Sequence, residues 1–174
     1  MSATVIKPPN VLPLHRCNGI VPGSVFLAGS IEMGLAEDWQ KKATEAFEPH
    51  AKYIFNPRRD DWNKNWKQSI DHPEFNTQVN WELHALDIAQ YIFMYFDINT
   101  KSPISLLELG LYATSKRLVV CCPEGFWRKG NVEVVCARYG IYLHTHIESA
   151  MREVALALDF QNRIESGQSP TDLL

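Results

Sequence analysis

The sequence predicts an α/β fold in which a doubly wound, five-stranded parallel sheet carries helices on both faces. Short apolar runs alternate with segments of helical periodicity between residues 25 and 165, which is the pattern of repeated βαβ units. The runs are apolar throughout, as strands buried on both faces are. The 174 residues are 45% hydrophobic and 21% charged, which suits one soluble domain with a full core. Five strands in this pattern are typical of the flavodoxin-like type, whose ligands bind beyond the carboxyl ends of the strands.

The elements follow from short patterns taken in chain order. An apolar run over 25–28 is closed by Gly29 and Ser30 and predicts the first strand, and residues at helical spacing from Leu35 to Phe47 predict the first helix. Ser102 followed by Pro103 is an N-cap with proline at the first helical position. The further predicted strands are 53–55, 91–96, 117–121 and 141–143, and the further predicted helices are 76–89, 103–114, 131–138 and 147–164.

The flanking segments have little periodicity. Residues 1–24 hold four prolines and are expected to form an irregular arm, residues 25–165 a single domain, and residues 166–174 a polar tail. No segment has the apolar run of a secretory signal or the length of a membrane span. The four cysteines and six histidines lack the spacing of a metal site, so the cysteines are expected to be small buried hydrophobes in a cytoplasmic protein. A net charge of −3 argues against polymeric nucleic acid as a partner.

Glu108 is the most unusual residue, because its segment is otherwise apolar nearly all round. The segment is therefore expected to be a largely buried helix, with Glu108 in a stripe with Ile104, Leu107 and Leu111. A buried carboxylate is costly unless it is paired or has a function. Glu108 is thus either half of a buried ion pair or a reactive group, and the pattern alone favours neither.

Other candidate binding residues lie where strands end. Gly29 and Ser30 close the first strand and either form a simple turn or offer backbone N–H groups to a ligand. Asp97 follows the third predicted strand, where it either caps a turn or serves the site. Glu82 stands beside core positions of its helix and belongs either to the surface or to the site.

A polar loop of about twenty residues, 56–75, is long for such a domain, and loops of this length are often functional. Its arginines are suited to a phosphate and its tryptophans to stacking on a base; the alternative is a solvated loop with its tryptophans packed on the core. The candidate binding residues in this loop are Asn56, Arg58, Arg59, Asp60, Trp62 and Trp66.

Four segments together resemble the nucleoside 2-deoxyribosyltransferase-like family. They are Val25-Phe-Leu-Ala-Gly-Ser-Ile31, Tyr53-Ile-Phe-Asn-Pro57, the strand that ends at Asp97, and Ser102-Pro-Ile-Ser-Leu-Leu-Glu-Leu-Gly110. The resemblance covers roughly residues 24–145, and its most specific element is Glu108-Leu109-Gly110 in a helix that follows a strand and a loop.

The resemblance implies an enzyme without metal or organic cofactor. It makes Glu108 the nucleophile that attacks the deoxyribose C1′ and Glu82 the carboxyl that handles the base and its proton. Family members commonly have an aspartate six positions before the nucleophile, where it contacts the sugar hydroxyls, and this chain has Ser102 there. The family also implies a homo-oligomer in which a neighbouring subunit helps to complete the site.

The sequence therefore predicts transfer or hydrolysis of the N-glycosidic bond in 2-deoxyribonucleosides or their monophosphates. A carboxylate beside an oxocarbenium-like centre stabilises or traps it, and a second acid protonates the departing base. The alternative is a non-catalytic nucleotide-binding module on the same fold, which Ser102 in place of the aspartate favours.

Overall fold

A computed structural model describes residues 2–13, 19–31, 38–59, 61–63 and 65–167. Six parallel strands form one sheet: β1 (Thr4–Ile6), β2 (Val21–Gly29), β3 (Tyr53–Phe55), β4 (Ala89–Tyr95), β5 (Leu118–Cys121) and β6 (Leu143–His144). Their order across the sheet is β1-β3-β2-β4-β5-β6. The five predicted strands correspond to β2–β6, and the order in which these lie is that of a flavodoxin-like sheet. The predicted fold class is confirmed, with six strands instead of five.

The sixth strand comes from the N-terminal arm that was expected to be irregular. β1 pairs in parallel with β3, with Thr4 opposite Tyr53, and adds an outer edge to the sheet. Three residues are too few to show a period in the sequence. β2 also begins earlier than predicted, at Val21, because its pairing with β4 is irregular between Val21 and Val25 and so accommodates Pro22.

Five α-helices cover both faces of the sheet, as predicted: α1 (Trp39–Phe47), α2 (Pro73–Ile88), α3 (Pro103–Tyr112), α4 (Lys129–Tyr139) and α5 (Ile147–Glu165), with a short 3-10 helix (Ala113–Ser115) after α3. Successive strand residues point to opposite faces. Leu27 and Phe93 therefore pack with α1 and α5, whereas Phe26 and Met94 pack with α2, α3 and α4.

The buried face of α2 agrees only in part with the one that helical spacing predicts. The spacing places Val79, Leu83, Leu86 and Ala89 inward. Leu86 and Ala89 are buried, whereas Leu83 is 38% exposed and the buried positions also include Gln78, Trp81 and Ala85. The buried face thus includes the polar side chain of Gln78, which a pattern of apolar residues alone does not predict.

The expectation that α3 is largely buried is wrong. Ile104, Leu107 and Leu111 are 61%, 59% and 56% exposed, whereas Glu108 is only 8% exposed. The buried positions of α3 are Ser105, Glu108 and Leu109, so the helix turns its carboxylate inward and an apolar stripe outward.

A helix end and three of the four cysteines agree with the predictions. Gly140 ends α4 in a left-handed conformation with φ of 67°, as expected of a C-terminal glycine. Cys121, Cys122 and Cys136 are buried and free. Leu35, Cys17 and most of the predicted tail lie outside the described residues. Among the helices that the structure describes, none has both the length and the hydropathy needed to cross a membrane.

Candidate functional site

The candidate site lies where the chain order across the sheet reverses, between β2 and β4. The chain moves from β2 to β3 on one side and then returns to β4 on the other, which opens a crevice beyond their carboxyl ends. Gly29, the last residue of β2, has φ of 135°, and a Cβ there would lie 2.2 Å from the carbonyl oxygen of Tyr95. Only glycine fits this position, so Gly29 allows the two strand ends to approach each other.

Three buried hydroxyl groups form a hydrogen-bonded ring immediately beyond these strand ends. Ser30 Oγ and Ser102 Oγ are 2.5 Å apart, Thr100 Oγ1 donates to Ser30 Oγ at 2.8 Å, and Thr100 Oγ1 lies 2.7 Å from Ser102 Oγ. The backbone N–H of Asp97 also donates to Ser30 Oγ. The ring thus joins the ends of β2 and β4 to the start of α3.

Ser102 caps α3 in an unusual way. It is the N-cap residue, as predicted, but its side chain makes no capping hydrogen bond and its φ of 47° and ψ of 51° are left-handed. A left-handed non-glycine residue costs on the order of 1–3 kcal/mol, and the hydrogen bonds of the hydroxyl ring oppose this cost. This conformation sets the direction in which α3 leaves the sheet and therefore the position of Glu108 six residues later.

Glu108 is held in a poorly solvated position. Burial, with a smaller effect of the nearby Glu82 carboxylate, raises its pKa from 4.5 to about 8. None of the described Lys, Arg or His side chains accompanies it as an ion-pair partner. The ion-pair interpretation of Glu108 therefore has no support among the described residues, and a carboxyl with such a pKa is typical of functional sites.

Glu82 lies on α2, near enough for its carboxylate to raise the pKa of Glu108. Burial raises its pKa from 4.5 to about 7, and a hydrogen bond from Gln78 opposes this rise. Gln78 Nε2 donates to Glu82 Oε1 at 2.7 Å and to the carbonyl oxygen of Pro57 at 3.1 Å. Gln78 thereby fixes the Glu82 carboxyl relative to the segment that follows β3.

That segment contains two of the predicted binding residues. Asn56 is buried, and its Oδ1 accepts a hydrogen bond from the backbone N–H of Arg58. Arg58 Nη1 donates to Gln40 Oε1 at 3.2 Å and lies 3.9 Å from Asp38. Gln40 is fully buried in the first turn of α1, so Arg58 joins α1 to the strand end beside the site.

Arg59 and Trp62 belong to a separate cluster in the loop. Arg59 donates to both carboxylate oxygens of Asp61, at 2.8 and 2.6 Å, and its guanidinium lies over the ring of Trp66. Trp62 packs edge-on against Trp66, with ring centroids 5.1 Å apart. These contacts of Arg59 and Trp62 are all with other residues of the loop. Asp60 lies outside the described residues.

Sequence reasoning missed three buried polar residues: Gln40, Gln78 and Thr100. Gln78 stands four residues before Glu82, so the spacing that brings helical side chains together was already visible. No sequence pattern indicated Thr100, because it contacts Ser30 only when β2 and β4 are adjacent in the sheet. Within the described ranges, no group of three or more His, Cys, Asp or Glu side chains is arranged to hold a metal ion.

A comparison with protein families identifies the family of this chain. The model of the family described as nucleoside 2-deoxyribosyltransferase like matches residues 22–126, which is more than half of the chain. The matched segment runs from the start of β2 to beyond β5 and includes Gly29, Glu82 and Glu108. A search of curated proteins finds no match. The chain belongs to the nucleoside 2-deoxyribosyltransferase-like family.

Proposed function

We propose that the protein is an enzyme that cleaves the N-glycosidic bond of 2-deoxyribonucleosides or their monophosphates through a covalent glutamyl-sugar intermediate. The observation that carries the proposal is the pair of poorly solvated carboxyls on α2 and α3, half-buried Glu82 and buried Glu108, of which Glu82 raises the pKa of Glu108. Membership of the family supports transfer of the sugar, with hydrolysis as the outcome when water is the acceptor.

The two carboxyls divide the reaction between them. The ionised Glu108 attacks C1′ and forms an ester bond as the C1′–N bond breaks, and the bonding electrons leave with the base. The protonated Glu82 gives its proton to the departing base, which leaves neutral. A second base, or water, then attacks C1′, releases the Glu108 carboxylate and returns a proton to Glu82.

The pair can reach this division near neutral pH. With a pKa of about 7 for Glu82 and about 8 for Glu108, it holds a single proton chiefly between these two values. The higher pKa places this proton mostly on Glu108, so the reactive arrangement, with Glu108 ionised and Glu82 protonated, is the minor form of the same charge state. One carboxylate and one carboxylic acid together are what the reaction needs. We therefore expect kcat/KM to be highest between about pH 7 and pH 8 and to fall on both sides.

The exposed stripe on α3 supports the proposal that the protein is a homo-oligomer. Ile104, Leu107 and Leu111 form an apolar surface on the helix that carries Glu108. A second copy that covered this stripe would lie close to the entrance of the site. The free thiols of Cys121, Cys122 and Cys136 support a reducing compartment such as the cytoplasm.

The test is incubation of the protein with a panel of 2-deoxyribonucleosides and their monophosphates, with and without a free acceptor base. Chromatography is expected to show base exchange when the acceptor is present, or free base when water is the acceptor. If no substrate in the panel gives either product, the proposal is wrong.

The hydroxyl ring favours a second candidate, a nucleotide-binding module without catalysis. Ser102 stands where the family has a sugar-binding aspartate, and its hydroxyl is engaged by Ser30 and Thr100. This candidate predicts that nucleotides raise the melting temperature although no product forms in the same panel.

A further inference from the structure

Gln78 has one polar atom that the proposed reaction leaves unexplained. Its side chain is 2% exposed, and its Oε1 has no hydrogen-bond partner among the described residues. A buried acceptor without a donor destabilises the native state unless something else supplies the donor. Gln78 Oε1 therefore lacks a hydrogen-bond donor among the described residues.

The orientation of this amide is determined by its neighbours. The two partners of Nε2, the carbonyl oxygen of Pro57 and the carboxyl oxygen of Glu82, are both acceptors. A flipped amide would place Oε1 against the carbonyl oxygen, which cannot donate. The amino end must therefore face Pro57 and Glu82. Because Oε1 is bonded to the same amide carbon as Nε2, it lies within one amide group of the Glu82 carboxyl.

We propose that Gln78 determines the base preference, because its Oε1 accepts a hydrogen bond from the exocyclic amino group of a 6-aminopurine whose N7 takes the proton of Glu82. This inference rests on the proposed function, since it takes Glu82 as the acid. The carboxylic acid of Glu82 and Oε1 of Gln78 form a donor beside an acceptor. Adenine presents the complementary pair on one edge, with N7 as acceptor and the 6-amino group as donor.

The same pair disfavours 6-oxopurines. Hypoxanthine and guanine present N7 and O6, which are both acceptors, so O6 would face Gln78 Oε1 without a proton between them. The base cannot present a different edge to Gln78, because N7 must remain beside the Glu82 carboxylic acid while the N-glycosidic bond breaks. Sites built around a substrate hydrogen bond reject analogues that lack it by large factors.

The experiment compares 2′-deoxyadenosine with 2′-deoxyinosine in the wild type and in the Gln78→Met variant. Methionine keeps an unbranched chain of similar size and removes both amide groups. We expect the wild-type kcat/KM for 2′-deoxyadenosine to be at least about tenfold higher than for 2′-deoxyinosine, and the ratio in Gln78→Met to fall to about one. Gln161→Met on α5, whose amide only approaches Glu165, is the matched control and should keep the wild-type ratio.

Each outcome decides between the two proposals. A wild-type ratio near one overturns the role of Gln78 even if the variant does not fold, and it leaves the proposed function standing. A variant that loses activity equally on both nucleosides also overturns it, since Gln78 would then only position Glu82.

Nucleoside binding to the wild type distinguishes failure of the proposed activity from failure of the proposed base preference. Binding is measured as the rise in melting temperature. If no base is released but 2′-deoxyadenosine stabilises the protein more than 2′-deoxyinosine does, the activity is wrong and the base preference holds. If neither nucleoside binds or reacts, both proposals are wrong.

Discussion

Replacement of Glu108 by glutamine tests the core of the proposed mechanism. Glutamine keeps the volume of the side chain but supplies neither a charge for an oxocarbenium-like centre nor a nucleophile for C1′. We expect turnover to fall by a factor of about a thousand or more, as removal of a covalent nucleophile does. Glu45→Gln, at an exposed position of α1, is the matched control and should retain wild-type turnover.

The same variant has a predictable effect on stability. Because the pKa of Glu108 is 4.5 when it is solvated and about 8 in the native state, the native protein binds more protons than the unfolded chain between these values. The free energy of unfolding therefore decreases as pH rises from 4.5 to 8. At about 1.4 kcal/mol per pKa unit, the full decrease is on the order of 5 kcal/mol, and relaxation of the cleft reduces it to about 2–3 kcal/mol.

Glutamine does not titrate, so Glu108→Gln avoids this loss. Near pH 4.5 the variant and the wild type should have nearly equal melting temperatures, and at pH 9 the variant should melt about 4–10 °C higher. Differential scanning calorimetry at both pH values measures this. A variant that is 3–5 kcal/mol less stable at every pH would indicate a broken ion pair, and a stable variant with wild-type turnover would remove Glu108 from the chemistry.

Three further perturbations test the rest of the site. Gly29→Ala should lower the free energy of unfolding by about 3 kcal/mol or more in denaturant titrations, because the added Cβ meets the Tyr95 carbonyl oxygen. Gly110→Ala is the control: there is open space around Gly110, so this variant should be neutral or more stable by up to about 1 kcal/mol. If Arg58 and Arg59 hold a 5′-phosphate, replacement of both by alanine should weaken the binding of monophosphates at least about tenfold more than the binding of nucleosides. Calorimetric titrations measure both affinities. Equal losses of affinity for the two kinds of ligand would mean that the arginines only order the loop. Leu107→Lys should shift sedimentation from oligomer to monomer, and an unchanged sedimentation coefficient would show that the α3 stripe is not an interface.

The local patterns of the sequence were sufficient for the fold class and for five of the six strands that the structure describes. Strands such as 91–96 are apolar on both faces, and helices such as α5 have a clear apolar stripe, so the alternation of elements was readable without any contact between distant residues. Pro103 and Gly140 marked helix ends for the same reason, since their backbone preferences act locally. Glu108 could be identified as unusual from the sequence alone, because it is the single charged residue in an apolar segment.

Only the tertiary structure decided what surrounds each of these residues. Glu108 is buried and its apolar neighbours on α3 are exposed, because the side of a helix that faces the protein depends on how it packs and not on its average hydrophobicity. The ring of Ser30, Thr100 and Ser102 exists because β2 and β4, more than sixty residues apart in the chain, are neighbours in the sheet. The sequence did not indicate a role for Gln78, because its hydrogen bonds to Glu82 and Pro57 depend on the direction of its side-chain amide. That direction is set only when α2 packs beside the segment after β3.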